Sequence, residues 1–451
     1  MTDLLVSNWF GTLSSRPATV MRPRNAGDIV AIMQDPERYP GPVRATGSLH
    51  STTECAMADG GTMVDMRGMD RILEIGPDTV TAEGGALYLD VNRELKRHGL
   101  QFYVNVELGN MTIGSAACGG TKDASMPGEL GQVCSYVSAV RMVTPAGEIV
   151  TVTEDDPDLL QAVRSSYGLF GIIFEVTFRV RPLRAMAVYH RKFSLDEFER
   201  QLPALWQRDE AIMMYIGPFL DTIVVEFRKY HGDAPPRTSS SWQWKLRNFV
   251  WKTVAPSFSW KMTQALSSRR LRNLVLDTFY RFTNMLLVTF VRGRNTIALA
   301  QMIRYPSVSD NSRYTFSIWA FPEAGYAEIL RAYFAWVREY DRNHGYRPNM
   351  AHVGYRVWED TNPLFSYSYD GTVMTIDPVS TGDPGWEEFL AAYNAFCSAH
   401  GGVPLFNQTY GLTRDQVQAA FGDRLDVFRS YRARFDPTDR LLNRYFADVL
   451  A

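Results

Sequence analysis

Residues 44–51 combine backbone donors with a histidine in an arrangement that suits phosphate binding. They read Arg44, Ala45, Thr46, Gly47, Ser48, Leu49, His50 and Ser51, and they continue a short apolar, strand-like run. A turn of small residues leaves neighbouring backbone N–H groups unpaired, and a concave row of such donors binds phosphate oxygens. The imidazole then lies where it can meet the group that the phosphate carries. On this stretch alone, an ordinary Gly-Ser turn that contains a histidine remains the alternative.

Two further small-residue segments lie downstream of this turn. Residues 112–121 read TIGSAACGGT, and residues 168–173 read GLFGII. Glycine and alanine crowd the first of them, which suits a site where something large approaches the backbone closely. A tight loop packed under a helix is the alternative. The length of the run and its lack of bulky residues favour a bound group.

Regular elements are expected on both sides of these turns. Residues 88–98 have apolar positions at helical spacing and are followed by Gly99, so they are predicted to form an amphipathic helix with a glycine C-cap. A hairpin is predicted over residues 132–152, with its turn at 145–147. No Gly-x-Gly-x-x-Gly links a first strand to a helix, which argues against a Rossmann domain.

Together, the three segments resemble the FAD-binding domain of the vanillyl-alcohol oxidase / p-cresol methylhydroxylase superfamily, and within it the aldonolactone and alditol oxidases. The resemblance implies an α+β fold. Residues 1–183 would form a two-subdomain FAD-binding domain, residues 184–415 an antiparallel-sheet cap domain that holds the substrate, and residues 416–451 a segment that returns to the FAD domain. The implied activity is oxidation of a CH–OH group by hydride transfer to the flavin, with oxygen or another electron acceptor.

The resemblance also assigns FAD contacts. In the sugar oxidases the first turn wraps the pyrophosphate and its histidine is bonded covalently to the flavin, which would make His50 the attachment point. Asn110 stands where berberine-bridge-type enzymes carry a cysteine, so a single linkage is expected. The remaining predicted contacts are Gly109, Thr112, Gly114, Ser115, Cys118, Gly119, Thr121, Gly171, Ile172, Ile173 and, in the C-terminal signature, Asn443.

The catalytic residues depart from the family pattern. The sugar oxidases carry a Gly-x-Pro-His-Trp-Gly/Ala-Lys motif in the cap, and the matching stretch here has Leu405 for the histidine and Gln408 for the lysine. A cationic clamp is thus replaced, so we expect a substrate less polar than a polyol or an aldonolactone. The candidates for the catalytic roles are Arg356, Gln408, Tyr355, Asp377 and Lys122.

Composition limits the remaining function classes. The chain has 451 residues and a formal net charge of −2, so its charge gives no argument for nucleic-acid binding. It contains no apolar run long enough for a membrane span, and its N-terminus lacks the features of a signal peptide. The four cysteines show no metal-like spacing and are typical of a reducing compartment, so a cytoplasmic protein without a metal site is expected.

Residues 241–294, which we call the insert, interleave aromatic and basic residues, with Asp277 as the single acid. Basic amphipathic helices with tryptophan bind anionic membranes, so a peripheral membrane contact is one interpretation. A helical pair of the cap with an aromatic core face and a solvated basic face is the second, and a protein partner the third.

Two other functions remain open from the sequence. One is an NADPH-dependent flavoprotein that resembles the sterol C24 reductases and acts on a lipid; the apolar Leu405 favours it and His50 argues against it. The other is a flavin-binding protein without turnover, because loss of the family's histidine and lysine is what decay of an active site would produce.

Overall fold

The structure is a computed structural model that describes residues 4–231, 242–305 and 314–450, with the side chains of 294 and 295 left out. Residue 241 of the insert lies outside the described residues. Helices and antiparallel sheets are mixed along the chain, which confirms the α+β prediction. The domain limits at 183 and 415 stay predictions, although strands on either side of residue 183 join different sheets.

The N-terminal part contains two small α/β layers. Its strands are β1 (Val6–Ser7), β2 (Ser14–Ser15), β3 (Thr19–Met21), β4 (Val43–Thr46), β5 (Thr62–Asp65), β6 (Ile72–Ile75), β7 (Thr79–Glu83), β8 (Leu100–Phe102), β9 (Val137–Val143), β10 (Ile149–Thr153) and β11 (Ile172–Pro182), and its helices are α1 (Ala26–Gln34), α2 (Tyr88–Arg97), α3 (Ile113–Cys118) and α4 (Pro157–Val163).

The first layer is a parallel sheet in the order β3-β5-β4. Strand β4 is buried and runs directly into the turn at residues 47–51. Asn25 caps the N-terminus of helix α1. Its side chain accepts a hydrogen bond from the Asp28 N–H and so pairs one of the free donors at the start of the helix. The first predicted phosphate turn is therefore held at the end of a buried strand.

The second layer is a sheet in the order β10-β9-β11-β7-β6. The predicted β9–β10 hairpin and the helix α2 are confirmed. Within the small-residue segment at residues 112–121, the chain forms the short helix α3, which packs against β7 and β11. Its glycine allows this packing, because a Cβ on Gly114 would lie 3.1 Å from the Gly84 carbonyl oxygen.

The cap and C-terminal elements follow. Their strands are β12 (Met186–Phe193), β13 (Ala211–Gly217), β14 (Thr222–Tyr230), β15 (Gly293–Thr296), β16 (Thr315–Phe316), β17 (Trp319–Pro322), β18 (His352–Val357), β19 (Val373–Ile376), β20 (Val379–Ser380) and β21 (Val403–Pro404), and their helices are α5 (Leu195–Trp206), α6 (Trp242–Phe249), α7 (Ala255–Ala265), α8 (Arg269–Phe290), α9 (Tyr326–His344), α10 (Trp386–Ala399), α11 (Arg414–Phe421), α12 (Arg424–Phe435) and α13 (Arg444–Leu450).

The cap is built on an antiparallel sheet in the order β15-β12-β14-β13-β18-β19-β17-β21, as predicted. Helix α5 begins with a capping box between Ser194 and Glu197, and it packs against β12, β14 and α9. Strands β18 and β19 lie near the centre of the sheet. Of the predicted catalytic residues, Tyr355 and Arg356 lie on β18, and Asp377 directly follows β19.

The insert forms helices α6, α7 and α8, with a π-helical turn at Val250–Val254 between the first two. Its inner face is anchored by Trp244 and Tyr280, which are buried, and by an ion pair of 2.7 Å between Arg347 and Asp277. None of the described helices is both long enough and apolar enough to cross a membrane.

The C-terminal segment returns to the N-terminal layers, as the resemblance implies. The Val43 N–H donates to the Arg440 carbonyl oxygen over 2.8 Å, and the Arg44 guanidinium donates to the Leu441 carbonyl oxygen over 3.0 Å. The Asn443 side chain donates to the carbonyl oxygens of Glu54 and Met57. The last turn before α13 therefore closes the base of the first layer.

Candidate active site

A cavity of about 230 Å³ lies between the N-terminal layers and the cap sheet. It brings together most of the residues predicted from sequence, although they come from segments more than 350 positions apart. The predicted residues in its wall are Arg44, Ala45, Thr46, Gly47, Ser48, Leu49, His50, Ser51, Thr112, Gly114, Ser115, Cys118, Gly119, Thr121, Lys122, Ile173, Tyr355, Asp377 and Gln408.

The first turn presents unpaired donors to this cavity. Leu49 adopts a left-handed conformation with a φ of 55°, and the Ser48 hydroxyl donates to the Asn110 carbonyl oxygen, which together fix the path of the turn. In the described part of the chain, the N–H groups of residues 48–50 have no hydrogen-bond partner. This is the concave row of donors that a pyrophosphate requires.

His50 lies at one end of the turn, and its environment keeps it neutral. Burial lowers the pKa of its imidazole to about 4, because the charged form loses its hydration. Its Nδ1 is buried without a partner among the described residues, and its ring packs edge-on against Trp9. A neutral imidazole with one free ring nitrogen in a cavity wall is available for bonding to a group bound there.

The turn at residues 47–51 touches the start of helix α3 at a glycine. A Cβ on Gly47 would lie 2.2 Å from the hydroxyl oxygen of Thr112, the residue before α3, so no larger residue fits there without displacing Thr112. Arg44 holds the same region together, because its guanidinium donates to the carbonyl oxygens of Cys55 and Tyr167. The turn at residues 47–51 and the start of α3 at Thr112 therefore form one surface, which we call the cradle. The unpaired N–H groups and the His50 imidazole line it.

A polar cluster lies in the cavity wall where Lys122 of the N-terminal part meets the cap. The Lys122 ammonium donates to Asp377 Oδ2 over 2.7 Å and to the Thr375 hydroxyl over 3.0 Å, and it lies 3.9 Å from the centre of the Tyr355 ring. Burial raises the pKa of Asp377 to about 6, against the opposing charge of Lys122, and burial lowers the pKa of Lys122. Asp377 Oδ1 is buried and has no partner among the described residues, so one carboxylate oxygen is free in the wall.

Apart from Asn407 and Gln408, the remaining cap residues in the wall are aromatic or aliphatic. Sequence reasoning did not find these residues; they are Trp251, Tyr314, Phe316, Ile318, Val353 and Val379. The alternation of β18 places Val353 and Tyr355 on the same face, so a period-two pattern through Tyr355 was the available signal for Val353. Trp251 comes from the insert, and no local pattern indicated that it reaches the cavity.

The structure contradicts the assignment of Arg356 to the substrate. Its guanidinium pairs with Glu323 at 2.6 and 3.0 Å and lies over the rings of Trp206 and Trp358, outside the cavity wall. The reason is the strand period, since Arg356 follows Tyr355 on β18 and must point to the opposite face of the sheet. Tyr355, and not Arg356, faces the cavity.

Four predicted FAD contacts also lie outside the cavity wall. Gly109 is bonded through its N–H to the Ile303 carbonyl oxygen, and Asn443 braces the turn at residues 54–57. A Cβ on Gly171 would lie 2.7 Å from the Val143 carbonyl oxygen, and Ile172 pairs with Val143 in the sheet. Asn443 and Gly109 support the cradle from behind, and the adenosine contacts assigned to Gly171 and Ile172 stay predictions.

Of the two substituted positions in the cap motif, one lies in the cavity wall and the other lies outside it. Gln408 lies in the cavity wall, whereas Leu405 is buried against Gly120 and the neighbouring cap strands. Asn407, between them, lines the cavity and donates to the Gly120 carbonyl oxygen over 2.9 Å. The change from lysine to Gln408 therefore alters the cavity directly, and the change from histidine to Leu405 alters its support.

Residues 176–449, more than half of the chain, match the family model described as D-arabinono-1,4-lactone oxidase. The chain belongs to this family. Residues 17–153 match the model of an FAD binding domain. The chain is 23% identical over 448 residues to an L-gulono-1,4-lactone dehydrogenase of Mycobacterium tuberculosis, covering 98% of each chain, and 23% identical over 452 residues to the L-gulonolactone oxidase of Mus musculus, covering 98% of this chain and 97% of that one.

Solved structures show the same fold. A histidine-to-alanine mutant of the cholesterol oxidase from Brevibacterium sterolicum superposes with a TM-score of 0.77 at 16% identity, over 99% of this chain and 97% of that one. A solvent-stable cholesterol oxidase superposes with a TM-score of 0.76 at 15% identity, over 98% and 97%. The expected p-cresol methylhydroxylase-type fold is therefore confirmed.

Family and site agree on the cofactor and the reaction type. The protein is an FAD-dependent oxidoreductase that acts on CH–OH groups of a small-molecule substrate. The cradle fits FAD on its own chemistry, because the unpaired N–H groups of residues 48–50 suit a pyrophosphate. Family membership favours neither the NADPH-dependent reductase nor the flavin-binding protein without turnover.

Proposed function

We propose that the protein oxidises a ring CH–OH group beside a lactone-like carbonyl, on a substrate less hydroxylated than a sugar lactone. The relatives from Mycobacterium tuberculosis and Mus musculus, which are named for L-gulonolactone, support a lactone-type ring. The observation that carries the narrower substrate is the division of the cavity wall. Lys122 and Asp377 form one polar corner with a free carboxylate oxygen, whereas Trp251, Phe316, Ile318, Val353 and Val379 line the wall with aromatic and aliphatic groups. Glu107, also in the wall, is already paired with Arg247 and Tyr305, and Gln408 offers a neutral amide.

In this proposal the free Asp377 oxygen acts as the base. Oδ1 accepts the proton of the substrate hydroxyl, while Oδ2 stays bonded to Lys122. A base works best when its pKa lies near the working pH, and a carboxylate with a pKa of about 6 meets this condition. When bound, FAD supplies the acceptor for the hydride that leaves the substrate carbon. The oxidised carbon becomes a carbonyl.

Lys122 and Tyr355 position the substrate oxygen. The ammonium is held by three neighbours, Asp377, Thr375 and the face of the Tyr355 ring, so its charge is fixed at the polar corner. A fixed cation there stabilises negative charge on the substrate oxygen as the proton leaves. Gln408, in the same wall, offers a neutral amide where the sugar oxidases offer a cation.

We propose that FAD is held by the N–H groups of residues 48–50 and is attached once, through His50. The unpaired Nδ1 and the neutral state of the imidazole support this attachment. We also propose a cytoplasmic location at a membrane surface that the insert contacts. The four cysteines, all buried and unbonded to one another, support a reducing compartment.

A substrate series tests the proposal. The holoenzyme is mixed without oxygen with D-arabinono-1,4-lactone, L-gulono-1,4-lactone, α-hydroxy-γ-butyrolactone and its β,β-dimethyl derivative, and bleaching of the flavin band is followed. We expect the dimethyl lactone to react best, by about tenfold in kcat/KM over the unmethylated ring, because two buried methyl groups contribute ~1.5 kcal/mol. A preference for L-gulono-1,4-lactone would overturn the narrower substrate, and no bleaching by any lactone would overturn the reaction.

Val379→Thr provides the matching enzyme variant. It keeps the side-chain volume and adds a hydroxyl to the apolar wall, so the preference should shift toward the sugar lactones. Val357→Thr is its control, because Val357 is equally buried in a cap strand but lies outside the cavity wall. The same shift in both variants would show that the wall does not set the preference.

A further inference from the structure

The insert carries a concentration of exposed apolar side chains. On α6 and α8, eight large apolar side chains are exposed, up to 63% for Leu274; they are Trp242, Leu246, Phe249, Leu271, Leu274, Phe282, Met285 and Phe290. Elsewhere in the described chain the exposed large apolar side chains are the adjacent Leu4 and Leu5 and the separate Val20, Leu73, Ile149 and Val427. A contiguous exposed apolar patch on a globular protein marks an interaction surface.

Helix α8 has two apolar faces. Leu276 and Tyr280 are buried against the cap, as the inner face of a surface helix should be. Leu271, Leu274, Phe282 and Met285 fall within one narrow stripe on the other side, with the exposed Thr278 and Thr289 completing it. The outer stripe contributes nothing to the core, so the fold of the cap does not explain it.

Basic residues border one side of this stripe. Arg270 and Arg281 are exposed on α8 beside it, and Lys245 and Lys261 are exposed on α6 and α7. The single acid between residues 242 and 292, Asp277, is bonded to Arg347 on the inner side. The outer stripe of α8 is therefore apolar with positive charge along one edge, which is complementary to a surface of acyl chains and anionic headgroups.

We propose that α6 and α8 form a docking surface for an anionic phospholipid bilayer. This deepens the membrane location in the proposed function and names its partner. The apolar stripe lies at the boundary between headgroups and acyl chains, and the basic side chains reach the phosphates beside it. The protein stays peripheral, because none of its described helices can span the bilayer.

The docking surface is joined directly to the cavity. Phe249 is exposed at the end of α6, and Trp251, two residues later, lines the cavity. Arg247, on the same turn, pairs with Glu107 of the cavity wall over 2.7 Å and donates to the Tyr215 hydroxyl over 2.8 Å. A bilayer docked on α6 therefore lies on the side of the cavity that Trp251 lines.

Vesicle flotation tests the docking surface. The FAD-loaded protein is mixed with phosphatidylglycerol vesicles or with phosphatidylcholine vesicles, and the protein that floats with each is measured. We expect binding to phosphatidylglycerol that is weakened about fivefold for each charge removed by Arg270→Gln and Arg281→Gln. Leu274→Glu/Phe282→Glu should lower binding to both kinds of vesicle by at least tenfold.

Val427→Glu is the matched control, since Val427 is an exposed apolar residue of helix α12 far from the insert in sequence. Its binding should equal that of the wild type, and thermal unfolding should confirm that each variant is folded. Equal binding of Leu274→Glu/Phe282→Glu and wild type would overturn the proposal. The proposal would also be overturned if the wild-type protein did not bind vesicles and instead formed a dimer that Leu274→Glu/Phe282→Glu abolished. Flotation needs no substrate, so failure of the lactone series would leave this test intact.

Discussion

Replacing Asp377 by asparagine tests the assignment of the base most directly. Asparagine keeps the shape and an oxygen for Lys122 but cannot accept the substrate proton. Loss of a positioned general base lowers rates by ~10²–10⁴-fold, which corresponds to about 3–5 kcal/mol in the barrier. We therefore expect the first-order rate of flavin reduction at saturating substrate to fall by that factor.

The pH dependence gives a second readout. The wild-type carboxylate has a pKa raised to about 6, so its base form is lost as pH falls through this value. The rate of flavin reduction should drop about tenfold for each pH unit below the pKa, and this limb should be absent in Asp377→Asn. Rapid mixing of the oxygen-free enzyme with substrate across this pH range measures both quantities.

A structural side effect has to be separated from the loss of the base. The substitution leaves the buried Lys122 ammonium without its carboxylate, and breaking a buried pair costs ~3–5 kcal/mol of stability. Urea unfolding of Asp377→Asn, with Lys122→Met/Asp377→Asn as the control that removes both charges, shows whether the protein is folded in the assay. A folded Asp377→Asn that keeps the acid limb and reacts within about fivefold of the wild type would refute the assignment.

Three further substitutions test other parts of the site. His50→Ala should release FAD into the supernatant after acid precipitation, whereas wild-type protein should keep the flavin colour in the pellet; colour in both supernatants would exclude the covalent attachment. Asn443→Ala removes hydrogen bonds to three carbonyl oxygens and should lower the free energy of unfolding by ~1–3 kcal/mol in urea, with weaker FAD retention. Arg356→Met breaks the pair with the half-buried Glu323 and should lower stability by ~1–3 kcal/mol. Its kcat/KM, measured where it is folded, should stay close to wild type, and a large loss would return Arg356 to the substrate site.

The cradle was predictable because its information is local. Small residues at 47–51 and 112–121 are required where backbone approaches backbone, and the structure shows the clash that any side chain on Gly47 would cause. The helix α2 and the β9–β10 hairpin carry their own periodicity and turn residues, so they too could be predicted.

The cap side of the site depends on tertiary contacts, and the sequence was less informative there. Tyr355 and Arg356 are adjacent, and only the register of β18 in the sheet decides which of them faces the cavity. Lys122 and Asp377 are 255 positions apart, so their pairing follows from the docking of two layers and from no pattern within either. Trp251 reaches the cavity because the insert folds back, which its composition does not reveal.

The attachment of the C-terminal segment to the first layer has a consequence for how the chain is completed during synthesis. Arg44 in the first layer bonds to Leu441, which follows it by 397 positions, and Val43 bonds to Arg440. During synthesis the first layer therefore lacks these two bonds until residue 441 has been added. We expect a chain truncated before residue 440 to retain FAD less well than the full chain.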